Sequence, residues 1–179
     1  MTQIDAARRG EITPQIAQVA KDEFRDPEFV REGVAAGRIA IPANINHPNL
    51  RACGVGEGLR TKVNVNLGIS GDIQDAPQEW EKVAIAQKYG ADAIMDLSNS
   101  GKTRVFRRQL IEKTPLMVGT VPMYDAIGYL ETPLVKLTGD DLLRVVRAHA
   151  EDGVDFMTIH AGFNRRVLDT FMETGRLTN

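Results

Sequence analysis

From Lys62 onward the sequence switches between strand-like and helix-like periods four times, and that alternation constrains the fold more than any other feature. "TKVNVNLG" (61–68) is β-branched and alternating. "APQEWEKVAIAQKYG" (76–90) has helical character, with Asp75 placed to cap it, Pro77 in its first turn and Gly90 to stop it. "ADAIMDLS" (91–98) is the next strand and "TRVFRRQLIEK" (103–113) the next helix. "PLMVGT" (115–120) follows as a strand, with a short helical piece near "MYDAIGYL" (123–130). "TGDDLLRVVRAHAEDG" (138–153) carries the clearest helix, with Thr138 and Asp141 at capping-box spacing and Gly153 placed to close it. The apolar run "FMTI" (156–159) then predicts a buried fourth strand ending at His160, and "NRRVLDTFMET" (164–174) a last helix.

Repeated strand–helix units predict parallel strands with right-handed crossovers, in a doubly wound sheet or a (β/α)8 barrel. Complete barrels need about 250 residues, so four units over about 120 residues amount to half of one. Such a half exposes two strand edges, which a further stretch of chain or a partner must cover. Residues 1–58 lack this rhythm. They offer helices near 12–24 and 27–36, a strand near "RIAIPAN" (38–44) and the Gly-rich link "GVGEG" (54–58), which together predict an N-terminal cap. The expected organisation is therefore an α/β chain with a cap over 1–58 and the first half of a (β/α)8, TIM-type barrel over 59–179.

Composition excludes several classes of function. With 42% hydrophobic and 26% charged residues in 179, the chain is ordinary globular material able to bury a core. A net charge of −2 provides no basic field for nucleic acid. No apolar run reaches membrane-spanning length, and "MTQIDAARRG" has no signal-peptide core, so the cytoplasm is the expected location. The single cysteine, Cys53, rules out an internal disulfide and a cysteine-only metal site in this chain.

In parallel α/β folds ligands bind at the carboxyl ends of the strands. Here those ends carry Asn64 and Asn66, then Met95, Asp96 and Ser98, then Thr120 and Tyr124, then His160. Each also has a structural reading. The asparagines can cap turns, Met95 can fill core, Asp96 can cap its loop or pair with Lys102, and Tyr124 can anchor a half-buried ring. A lone strand-end histidine is more often structural than catalytic. His47 and His149 have no ligand-spaced partner, which argues against a metal site. Arg104, Arg107 and Arg108 follow helical spacing and read as a solvated face, with Lys102 and Arg104 near enough to a loop to meet a phosphate. The residues alone predict a rim for a small polar ligand.

The phrases "IPANINHPNL", "KVNVNLGIS", "ADAIMDLS", "VGTVPMYDAI" and "GVDFMTIHAG" together resemble the phosphomethylpyrimidine synthase family of thiamine biosynthesis, over essentially the whole chain. That resemblance implies a homodimeric (β/α)8 enzyme of the radical S-adenosylmethionine type, acting on 5-aminoimidazole ribotide with a 4Fe-4S cluster. Matched one at a time, the family's substrate-binding positions fall on Asn66, Met95, Tyr124 and His160 in this sequence. The family's Ser-Arg-Gly loop, its metal-binding histidines (for an ion expected to be zinc) and its three-cysteine cluster motif have no counterpart here. The resemblance thus implies a substrate-binding half, inactive alone, with cluster, S-adenosylmethionine and metal held elsewhere. The continuation "MDLSNSGKTRVFRRQLI", with "GTVPMYDAIGYLE", is more similar to the 5-hydroxybenzimidazole synthase paralogue, which makes the lower-ligand base of a cobamide. Phosphomethylpyrimidine synthesis is the alternative product, and a non-catalytic ribotide-binding or subunit-completing module is the alternative of another class.

Overall fold

The structure is a computed structural model that describes residues 1–71, 76–100, 103–130, 133, 136–162 and 164–175. Asp75, Lys102, Phe163 and residues 176–179, on which several of the expectations above fall, lie outside the described residues.

Three short helices open the chain: α1 (Gln3–Arg8), α2 (Pro14–Asp22) and α3 (Pro27–Ala35). Each starts where a side chain satisfies the free amides of its first turn. Thr13 and Asp26 cap α2 and α3, each followed by a proline whose missing N–H costs nothing there. A Thr2–Asp5 capping box starts α1, which the sequence reading passed over. β1 (Ile39–Ala40) pairs antiparallel with β2 (Val55–Gly56), so the Gly-rich link carries a strand. Ile16, Val19, Val30, Val34, Ile39 and Ile41 form a core beneath these elements, with Leu59 packed against it.

The second part has a four-stranded parallel sheet: β3 (Asn64–Leu67), β4 (Ala93–Asp96), β5 (Met117–Thr120) and β6 (Phe156–Met157). Among the described residues strand order follows chain order. Between the strands run α4 (Ala76–Lys88), α5 (Thr103–Lys113), α6 (Pro122–Leu130) and α7 (Gly139–Glu151), and α8 (Arg165–Thr174) follows β6. The period of two sorts the strand residues. Val65, Leu67, Ile94 and Val118 face the helices and pack with Val83, Ala86, Phe106, Leu110 and Ile111. Asn66, Met95 and Gly119 share a register row on the other face. A capping box of Thr138 and Asp141 starts α7, a feature worth about 1 kcal/mol, and Gly153 follows its end at φ +103°.

Two expectations need correction. The "FMTI" run gives a two-residue strand whose residues are half-buried, while Thr158 and Ile159 are exposed. β6 is an edge strand among the described residues, so apolar character there has one neighbour to pack on. The Arg107 position is the second. It is 1% exposed, buried between carboxylates rather than solvated.

Candidate functional site at the strand ends

The four sequence-selected residues fall into two pairs. Asn66 and Met95 are register partners on β3 and β4, the first exposed and the second half-buried. The Asn64 amide donates to Asn66 Oδ1 at 2.9 Å, which orients the Asn66 side chain so that its Nδ2 remains available as a donor. Tyr124, 43% exposed, lies in the first turn of α6, its ring centroid 5.5 Å from that of His160 with the planes inclined at 39°. Between the pairs, Gly119 completes the row with Phe156, and a methyl group on Gly119 would collide with the Phe156 ring. The ring therefore covers Gly119, next to Met95 in the register row. Sequence reasoning missed Phe156; the signal was the glycine inside "MVGT". At Gly162 an added methyl would meet open space among the described neighbours.

On the helix side of the same strand ends lies a buried polar layer. Asp96 accepts from Ser98 N and Oγ at 3.0 and 2.5 Å, which caps its loop, and Ser98 Oγ accepts from Ile69 N. Burial pushes the Asp96 carboxyl up, an effect the Ser98 donors and nearby Arg107 only partly offset. Asp125 accepts from Thr103 Oγ1 at 2.5 Å, Arg107 Nη1 at 3.0 Å and His149 Nε2 at 2.9 Å. Burial opposes its charge, but these donors outweigh burial and hold its pKa below the ordinary range. The other ring nitrogen of His149 meets Thr120 Oγ1 at 2.9 Å. Asp152 binds Arg107 Nη2 and, bidentately, Arg104. His149, read from the sequence only as lacking a partner at metal-ligand spacing, is a fully buried link between a carboxylate and a strand-end hydroxyl. Residues distant in sequence supply its partners, so no local motif reveals them.

Other ionisable groups tie the N-terminal part to the sheet. His47, in a loop before Pro48, is buried with Nδ1 2.7 Å from Asp155 Oδ2 and Nε2 2.8 Å from the Thr114 carbonyl. Both partners are acceptors, an arrangement that favours the doubly protonated ring. Burial opposes that charge, but the Asp155 and Thr114 contacts outweigh it and raise the His47 pKa. Asp92 chelates the Arg60 guanidinium and accepts from Val63 N, which holds its carboxyl low against burial. Cys53 sits beside Asp92, and burial pushes its thiol up, away from the thiolate form.

Among the described residues no group of three or more His, Cys, Asp or Glu side chains is arranged to hold a metal ion, and no helix is long and apolar enough to cross a membrane. An iron–sulfur cluster takes several thiolates. The one cysteine of this sequence does not fit it.

Compared with known proteins, residues 2–179 match the radical SAM ThiC family. The chain belongs to that family. It is 55% identical over 178 residues to a phosphomethylpyrimidine synthase of Clostridium tetani, covering 99% of this chain and 39% of that one. Proteins of the same name from Pelotomaculum thermopropionicum and Campylobacter jejuni are 53% and 51% identical, each over 99% of this chain and 41% of their own length. The chain therefore spans about two fifths of the length of the curated relatives it matches. The match bears out the family read from the five phrases. ThiC proteins are radical S-adenosylmethionine enzymes, a class that uses a 4Fe-4S cluster with S-adenosylmethionine.

Proposed function

We propose that the chain is the substrate-binding part of a phosphomethylpyrimidine synthase, which converts 5-aminoimidazole ribotide into the pyrimidine phosphate of thiamine. The carrying observation is the name shared by relatives 51–55% identical over 99% of the chain. It reverses the order suggested by "NSGKTRVFRRQLI", which put 5-hydroxybenzimidazole first. In this reading residues 1–58 are a cap and residues 59–179 the first half of a (β/α)8 barrel, with the protein acting as a cytoplasmic homodimer.

The roles follow from the side chains. Asn66 offers the ribotide a donor whose direction Asn64 sets. Met95 presents a polarizable sulfur to the flat imidazole. Tyr124 and His160 hydrogen-bond ribose or phosphate from neighbouring rings, and Phe156 keeps water from the sheet face at Gly119. The cluster supplies the radical chemistry when bound. With one cysteine here, its ligands, the S-adenosylmethionine site and a family zinc ion belong to the remaining length of the protein. This stretch alone is therefore expected to be inactive.

Anaerobic reconstitution of the full-length protein with ribotide and S-adenosylmethionine, read by mass spectrometry, tests the proposal. Hydroxymethylpyrimidine phosphate is the expected product. Recovery of 5-hydroxybenzimidazole alone would restore the first ordering, and binding of ribotide without turnover would favour a non-catalytic module.

A further inference from the structure

Tyr124 stands inside a closed circuit. Thr120, at the end of β5, touches His149 Nδ1 at 2.9 Å; five residues later Asp125 accepts from Nε2 of the same ring at 2.9 Å. The intervening turn, Val121 to Tyr124, is thus pinned at both ends by one imidazole. Asp125 is further held by Thr103 at 2.5 Å and Arg107 at 3.0 Å, both from α5. Asp125, His149 and Arg107 are all 1–2% exposed.

Three considerations set the purpose of this arrangement. First, α6 has nine residues, a length that does not hold itself in water, so packing must fix its position. Second, consecutive helical residues point about 100° apart, so locking Asp125 on the helix side fixes the rotation that aims Tyr124 toward His160. With a helix radius of about 5–6 Å, a 10° rotation moves the helix surface by about 1 Å. Displacements of that size are costly where a ligand must be oriented. Third, a buried ionic cluster is a poor source of stability, because apolar residues of similar volume commonly serve as well or better. Its best-attested use is to fix register. The adjacent motif shows the same alternation: Met95 faces the open side of the sheet, while its neighbour Asp96 turns into the buried layer.

We propose that Asp125, clamped by Thr103, Arg107 and His149, is a positioning residue that sets the orientation of Tyr124 for ligand binding. The inference rests on the ribotide-binding reading. It explains why the "VPMYDAI" phrase pairs an exposed tyrosine with a buried aspartate.

A double-mutant cycle in the full-length protein tests it, with calorimetric titration of ribotide and thermal unfolding measured side by side. Asp125→Asn removes the charge at constant shape. Thr103→Val removes one hydroxyl and decides the matter should Asp125→Asn not fold. Each is made alone and together with Tyr124→Phe. Against native Tyr124, each is expected to weaken ribotide binding on the order of tenfold. With Phe at position 124 the same changes are expected to shift affinity by less than about twofold, while lowering the unfolding midpoint equally in both backgrounds. Equal losses of affinity in both backgrounds would make the network merely structural and overturn the proposal, as would affinity unchanged by both variants. Failure of the unmutated protein to bind ribotide overturns the functional reading and this inference with it. Binding that Tyr124→Phe leaves untouched overturns the inference alone.

Discussion

Gly119 is small because Phe156 needs the space its side chain would occupy. Its backbone is outside the left-handed region, so alanine is compatible with the chain path, and the cost falls on the ring. Gly119→Ala should therefore destabilise by about 1–3 kcal/mol, as overpacking does, and weaken ribotide binding by displacing the ring next to Met95. Chemical denaturation together with titration would check both, and unchanged affinity would remove Phe156 from the site. Residues of this kind are hard to find in a sequence. Polar or unusual residues at the expected strand ends, Asn66, Met95, Tyr124 and His160 among them, were legible as a rim, and the choice of these four as ligand contacts came from the family resemblance. Phe156, Arg107 and His149 were not, since a phenylalanine in an apolar run and an arginine at helical spacing look the same whether they serve a site or a surface.

At the level of elements, the sequence announced boundaries best where a side chain makes them. Thr138, Asp141 and Gly153 delimit α7, and Asn164, which the sequence reading placed within the last helix, caps α8. The parallel order of β3 to β6 followed from the strand–helix rhythm for a similar reason: short crossovers leave few other topologies. Burial was less legible, because it depends on neighbours rather than on an element's own pattern. α8 has the spacing of an amphipathic helix, yet none of its residues is buried, and Leu168 and Met172 face outward. α7, by contrast, buries Val145, Ala148 and His149. Amide exchange measured on this 179-residue chain should therefore be faster in α8 than in α7 by at least about tenfold. Comparable protection would mean that α8 has found a cover, such as a second copy.

Across the whole molecule, two apolar clusters are joined by polar contacts. The Asn44 amide donates to the Ala150 and Val154 carbonyls, Arg51 N donates to the Pro115 carbonyl, and the His47–Asp155 pair is wholly enclosed. Because the folded His47 pKa lies above its ordinary value near 6.5, its contribution is fully present below about that pH and is lost as pH rises through the raised value. Unfolding followed against pH should show stability falling across that interval. His47→Gln should abolish that dependence and cost about 3–5 kcal/mol, because it removes the charged partner of buried Asp155 and leaves it the Asn44 and Val118 amides alone. A pH profile identical in the variant would show that the ring is not the titrating group. These partners stand 108 residues apart along the chain, so most of the fold must be in place before they meet. Closing so long a loop is entropically costly, so their attraction is expected to form late in assembly and to hasten it little. The bond should then act as a latch in time as well as in space: breaking it would leave the refolding rate almost untouched and appear almost entirely as faster unfolding.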